Sequence, residues 1–143
     1  MNADIPVVWN SNSYYSEKTA ELLKGVVDIY LLDFRYFKEE CAVKYSSAPN
    51  YPEVAKRNFL KAHRDAEMLI RVLVMPSHIE CCAKPILKWI SENLGKRVRL
   101  NIMDQYYPAY NAFKFPEIDH RLSRMEFLEV LEFARGLGLK NLA

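Results

Sequence analysis

Four times along this chain an apolar, strand-like run ends in a tight cluster of polar residues, and helix-like stretches separate the runs. The runs are Ile5–Trp9, Asp28–Leu32, Leu69–Val74 and Val98–Met103. The clusters that follow are Asn10-Ser11-Asn12, Asp33-Phe34-Arg35, Pro76-Ser77-His78-Ile79-Glu80 and Asp104-Gln105-Tyr106-Tyr107. A strand reached through a helix lies parallel to its predecessor, so all four clusters should emerge at one edge of a sheet. That edge is where parallel folds place their chemistry. With 143 residues, the chain is expected to form a single domain, 1–143, with one core.

The intervening stretches carry helix signals. Ser16 can cap a helix running to about Lys24, with Gly25 suited to its left-handed end. Pro52 suits a first helical turn, followed by Ala55, Phe59, Ala62 and Ala66 at helical spacing. A third helix opens near Pro85, carries Ile86, Ile90 and Leu94, and stops at Gly95. Ser123-Arg124-Met125-Glu126 is a capping box before Phe127, Leu131 and Ala134, and Gly136 and Gly138 close that helix. Two connections are long: Phe37 to Asn50, with a short helix around Glu39–Lys44, and the aromatic segment Tyr106 to His120, of a length typical of lids. Leu139 to Ala143 either begins another strand or frays. The pattern is an α/β protein of β-α-β-α-β-α-β-α order. It predicts a partial (half) TIM-like β/α barrel of about four parallel strands with helices on the outer face. Four strands are too few to close a barrel.

Bulk properties exclude several classes. Half the residues are hydrophobic and 27% are charged, as in ordinary globular proteins. A net charge of +2, with basic residues spread among acids, does not point to nucleic acid. No apolar stretch approaches the ~20 residues of a membrane span, and no secretion signal opens the chain. Three cysteines, two of them adjacent, make a poor disulfide framework, so a cytoplasmic location is expected.

The polar clusters each admit two readings. Asn10-Ser11-Asn12 either holds a ligand or forms a turn whose side chains bond their own backbone. Asp33 and Arg35, two apart in an extended stretch, share a face and bind either a zwitterionic ligand or each other. Arg71, set among apolar neighbours, needs an inward carboxylate or an anion, unless it snorkels at the sheet rim. His78, Glu80, Cys81 and Cys82 combine metal-binding residue types, but adjacent cysteines do not readily wrap one tetrahedral ion. Their plain reading is a helix entry with small buried thiols before Pro85. Tyr106, Tyr107, Tyr110, Phe113 and Phe115 either stack a planar ring or form a satellite core.

Taken together, the segments Val7–Asn12, Leu31–Arg35, Ile70–Pro76 and Leu100–Met103 resemble the C-terminal half of radical S-adenosylmethionine proteins. The likeness is to the branch related to pyruvate formate-lyase activating enzymes. Those proteins carry an Asp/Asn-Thr/Ser-Asn turn, a Leu-Asp-Leu-Lys-like strand, an Arg-then-apolar strand ending near Pro-Gly, and a late strand beside the adenine. The resemblance spans nearly all of the chain through the order and spacing of these motifs. It implies S-adenosylmethionine as cofactor, with Asn10, Ser11, Asn12, Asp33, Arg35, Arg71, His78, Met103 and Gln105 as cofactor-binding residues. Asn10 and Ser11 would fall near the methionyl end and a monovalent cation, with Asp33 in that same region. Arg71 would lie near cofactor and substrate backbone, and Met103 and Gln105 near the adenine. Arg35 replaces the usual Lys, and Ser77 stands where Gly is common. No catalytic residue and no metal ligand is assigned.

The resembled family also binds a 4Fe–4S cluster through a Cys-x-x-x-Cys-x-x-Cys loop, and nothing in this chain has that spacing. Cys41, Cys81 and Cys82 are not substitutes for it. The cluster loop, a glycine-rich motif and about three strands would lie upstream of Met1. Without the cluster, this chain alone is expected to be inactive. Its expected partners are the missing N-terminal half or a protein substrate. The alternatives are a non-enzymatic half-barrel that forms a homodimer, and a small-molecule-binding α/β domain.

Overall fold

Parallel pairing governs this molecule. In the computed structural model, which describes residues 4–142, four strands lie side by side in chain order: β1 (Val8–Ser11), β2 (Ile29–Asp33), β3 (Glu67–Leu73) and β4 (Arg99–Met103). Every neighbouring pair is parallel, in the registers Asn10–Leu31, Asp33–Arg71 and Arg71–Asn101. The crossovers contain α1 (Glu17–Leu23), α2 (Glu39–Ser46), α3 (Tyr51–Asp65) and α4 (Lys84–Asn93), and α5 (Arg124–Gly136) follows β4. This is the α/β half-barrel arrangement predicted from the strand–helix alternation.

The strand limits shift in an informative way. Pro6 has no N–H to give a ladder, and β1 begins only at Val8, not at Ile5. It then runs through Asn10 and Ser11, so these are strand residues and not the loop beyond it. Asp33 is likewise the last residue of β2. The Ser16 hydroxyl accepts from the Thr19 N–H at 3.1 Å, and Ser123 and Glu126 form the reciprocal capping box. Before α4 the chain makes a wide π-type turn, Ile79–Ala83, closed by a bond from the Ala83 N–H to the His78 carbonyl at 3.0 Å. Helical winding therefore starts in this turn, while α4 itself opens at Lys84, beside Pro85 as predicted. A short 3-10 turn, Ala112–Lys114, interrupts the aromatic segment. After α5, Asn141 makes a parallel bridge to Leu100, while Ala143 lies outside the described residues.

Strand residues alternate between two unlike environments. Tyr30, Leu32, Ile70, Val72, Leu100 and Ile102 face the helices and are buried. Phe34, just beyond β2, is fully buried and stacks on Phe59 of α3 at 5.2 Å while meeting Trp89 of α4 edge-on at 5.7 Å. That wedge ties three elements together, with aromatic geometry adding about 0.5–1.5 kcal/mol per pair beyond burial. The opposite face carries Val8, Asn10, Leu31, Asp33, Leu69, Arg71, Leu73, Asn101 and Met103, and no helix of the described residues covers it. Val8 is 50% exposed there, and Leu31, Leu69 and Leu73 are half-buried. All-parallel sheets normally bury both faces, so one side of this sheet is left open. No helix among the described residues is long and apolar enough to cross a membrane.

The two faces make a direct comparison. Ile70→Ala, on the helix side, should cost about 2–5 kcal/mol in denaturant unfolding of this chain. Leu69→Ala, one residue away on the open side, should cost about 1 kcal/mol or less. Equal losses for both would mean that the second face is packed in solution.

Candidate functional site

The open face ends, at the carboxyl edge of the strands, in a row of charged and amide side chains. Asp33 and Arg71 sit opposite each other in the β2–β3 register, and the Arg71 Nε donates to Asp33 Oδ1 at 2.6 Å. The same guanidinium donates from Nη2 to Asn10 Oδ1 at 2.7 Å, which links β3 to β1 across β2. Arg35 returns from beyond β2 and donates from Nη2 to Asp33 Oδ2 at 2.9 Å. Because Phe34 points into the helix layer, its neighbours Asp33 and Arg35 fall on the same side.

Both oxygens of Asp33 are thus taken by guanidiniums, and its side chain is only 11% exposed. The acid is spent inside the cluster. Two arginines against one carboxylate leave the site with one net positive charge, and Arg35, its side chain 46% exposed, presents unused N–H groups outward. Arg71 is not a snorkelling rim residue, since it finds the inward carboxylate that its apolar neighbours require. Beside it in the β3–β4 register stands Asn101, whose Oδ1 is buried without a hydrogen-bond partner. An anionic group on the arginines and a donor on Asn101 would complete this row.

Ser11 and Asn12 behave as turn formers. The Ser11 hydroxyl accepts from the Ser13 N–H at 3.1 Å, and Asn12 Oδ1 accepts from the Tyr14 N–H at 3.0 Å. His78 is buried, bonds through Nδ1 to the Pro76 carbonyl at 2.8 Å, and meets the Tyr45 ring edge-on. It shares a narrow crevice with Arg35, Leu73 and Met75. Met103 ends β4 on the open face, with the Gln105 amide 3.8 Å from its sulfur. The geometry therefore joins Asn10, Asp33, Arg35 and Arg71 directly, places His78 beside Arg35, and leaves Met103 and Gln105 at the far end of the sheet. Ser77 has φ +61°, in the left-handed region that favours glycine, and its N–H donates to Glu126 Oε1 at 3.1 Å.

Several residues that hold this rim escaped the sequence reading. Ser13, fully buried with φ +70°, donates from Oγ to the Asp33 carbonyl at 2.7 Å. Asn58, fully buried on α3, donates to the carbonyls of Ser13 at 3.0 Å and Tyr15 at 2.9 Å. Arg57 adds a bond to the Tyr15 carbonyl at 2.7 Å. The Tyr51 hydroxyl lies 2.9 Å from the Asn12 carbonyl and 3.2 Å from that of Asp33, and it accepts from the Arg35 N–H at 3.1 Å. Burial raises the Tyr51 pKa above the ordinary phenol value, so it stays protonated. One signal was available: Asn58 interrupts the apolar stripe of Ala55, Phe59 and Ala62, and a polar residue there must satisfy a buried partner.

The aromatic segment is tied down from α2. Glu117 pairs with Lys44 and accepts from the Tyr45 hydroxyl at 2.7 Å, while Phe115 meets Tyr45 edge-on at 5.1 Å. Tyr110 and Phe113 remain exposed. The Lys44 and Tyr45 hydrogen bonds hold the Glu117 pKa down at about 2.

No family model matches the chain. It is 45% identical over 139 residues to the uncharacterized protein MJ0674 of Methanocaldococcus jannaschii. That match covers 97% of this chain and 40% of the relative, so the chain spans well under half of that protein's length. Among solved structures, it is similar to a domain of pyruvate-formate lyase-activating enzyme from Bacteroides vulgatus, with a TM-score of 0.66 and 13% identity. The superposition covers 92% of this chain and 76% of that one. At that identity the likeness shows the fold: a partial β/α barrel.

The sign of the Glu117 shift fixes a pH window. A carboxylate with a depressed folded pKa stabilises the fold above its unfolded pKa, and that contribution fades as pH falls through the folded value. Protection of the amides of residues 106–120, taken relative to their intrinsic exchange rates, should therefore hold from neutral pH downward and fall progressively between roughly pH 4.5 and pH 2. In Glu117→Gln the protection should be low across the whole range and lose this pH dependence. An unchanged exchange profile in that variant would mean that the ion pair does not order the loop.

Proposed function

We propose that this chain is the cofactor-cradling part of a radical S-adenosylmethionine protein related to pyruvate formate-lyase activating enzymes. The observation that carries this reading is the net-positive Asn10–Arg71–Asp33–Arg35 row on the uncovered face of a parallel sheet. It stands at the strand ends, where parallel folds gather ligands. The fold likeness to a pyruvate-formate lyase-activating enzyme domain supports the same reading.

The donor set suits a zwitterionic nucleoside cofactor. Arg35 and Arg71 would hold the methionyl carboxylate, and the unpaired Asn101 oxygen would accept from an amino group. Asn10 would position Arg71, and Asn58 and Tyr51 would hold the two loops that carry Asn12 and Asp33. Ser11, Asn12, His78, Met103 and Gln105 would complete the rim. Asp33, already satisfied by two arginines, would orient them and leave little for a monovalent cation. When bound beside a reducing cluster, the cofactor supplies a 5′-deoxyadenosyl radical.

The 4Fe–4S cluster does not fit the residues present. Its three thiolates must reach three separate irons, whereas Cys41, Cys81 and Cys82 hold their sulfurs within 4.8 Å of one another. No radical step is therefore assigned to this chain. The cluster would be bound by a further N-terminal segment, which would also cover the open face, and the substrate would be a protein partner.

Calorimetry with S-adenosylmethionine should show saturable one-to-one binding to the 143-residue chain. Arg71→Lys keeps the charge but loses the planar fork, and should weaken binding roughly tenfold or more. Anaerobic reconstitution with iron and sulfide should yield no cluster on this chain. A cluster assembled on it, or cofactor binding indifferent to Arg71, would contradict the proposal.

A second reading draws on a different observation. Beside the open face, Ile5 is 73% exposed and Val7 is 44% exposed, next to the unpaired edge of β1. A non-enzymatic half-barrel that dimerises would bury this edge against a second copy. Light scattering at high concentration should then report a dimer, and a clean monomer counts against that reading.

A further inference from the structure

A second constellation lies behind the rim, outside the cofactor row. Among the described residues, the sulfurs of Cys41, Cys81 and Cys82 all lie within 4.8 Å of one another. They come from two places in the chain: Cys41 from the first turn of α2, Cys81 and Cys82 from the π-type turn before α4. Adjacent residues on an ordinary α-helix do not face each other. The wide turn changes that spacing, and the Cys81 and Cys82 sulfurs stand 3.9 Å apart. π-type turns are rare and recur at functional sites. All three thiols are free.

We infer that Cys41, Cys81 and Cys82 form a tris-thiolate site for one soft, thiophilic metal ion, such as zinc or cuprous copper. Three sulfurs at about 2.3 Å from one ion lie about 3.8–4.0 Å apart in tetrahedral or trigonal geometry. The triad is already close to that separation. All three donors are soft sulfur, which selects this class of ion over calcium or magnesium. Without a cation, burial and the neighbouring thiols push the Cys41 pKa up to about 12 and raise that of Cys81, which keeps these two protonated. An ion reverses this by displacing one proton from each thiol to solvent, so that three S–H bonds are exchanged for three metal–sulfur bonds with no change in oxidation state.

Cys41 and Cys81 are only partly buried, so an ion can reach the site from outside. Once bound, it would staple α2 to the turn after β3. The turn lines the crevice that Arg35 and His78 share, through Cys82 and Ala83, and Tyr45 of α2 packs edge-on against His78. The site does not depend on the cofactor reading, because none of its ligands belongs to the cofactor row.

Cadmium serves as the probe. Titration of the fully reduced chain under argon should saturate at one ion per chain, with thiolate-to-cadmium charge-transfer absorption and a higher thermal midpoint. Bound cadmium should protect all three cysteines from iodoacetamide, read by mass spectrometry. Cys41→Ser should weaken binding roughly tenfold or more, whereas Glu80→Gln, which removes the hard ligand next to Cys81, should leave it unchanged. Absence of uptake by the reduced chain, protection confined to Cys81 and Cys82, or undiminished affinity in Cys41→Ser overturns the inference. If Cys41→Ser does not fold, the protection pattern of the unaltered chain decides alone.

Discussion

Every crossover in this chain leaves the sheet on the same side, and that constraint organises the rest. Because strand side chains alternate, one-sided coverage divides each strand into a buried register and an open one. Leu32, Ile70 and Leu100 build the core, while Asp33, Arg71 and Asn101 are placed where no helix reaches. A one-residue slip in β3 would put Arg71 under the helices and Ile70 and Val72 in the open row. The charged row and the apolar core thus enforce the same register.

Charge placement alone would not hold the row in position. The loops after β1 and β2 are kept together by polar groups of a single helix: Asn58 and Arg57 reach the first loop, and Tyr51 reaches both. These bonds satisfy carbonyls that would otherwise be buried without a partner. α3 therefore acts as packing element and as scaffold for the rim, which explains why its most buried face is not wholly apolar.

The order of strands, the capping signals at Ser16 and Ser123, and the pairing of Asp33 with Arg35 were legible in the sequence, because each rests on local spacing. The limits of the strands were less so. Asn10, Ser11 and Asp33 read as loop residues by type, yet parallel ladder bonds carry the strands through them. Asn58 and Tyr51 act across 16 to 45 positions of sequence, a reach that no local pattern encodes. The cysteines illustrate the same limit. Adjacency argued against a shared ion, and only the wide turn and the approach of α2 bring Cys41 to the other two.

That wide turn has a genetic consequence. A π-type turn amounts to one residue more than a regular helix needs, inserted ahead of α4. Deleting a single residue between Ile79 and Ala83 would let α4 continue as an ordinary helix, packed as before. The residues upstream of the deletion would swing by about 100° around the helix axis, carrying their side chains away from α2. The thiol cluster is thus separable from the fold that carries it: one codon distinguishes a half-barrel with the triad from a half-barrel without it.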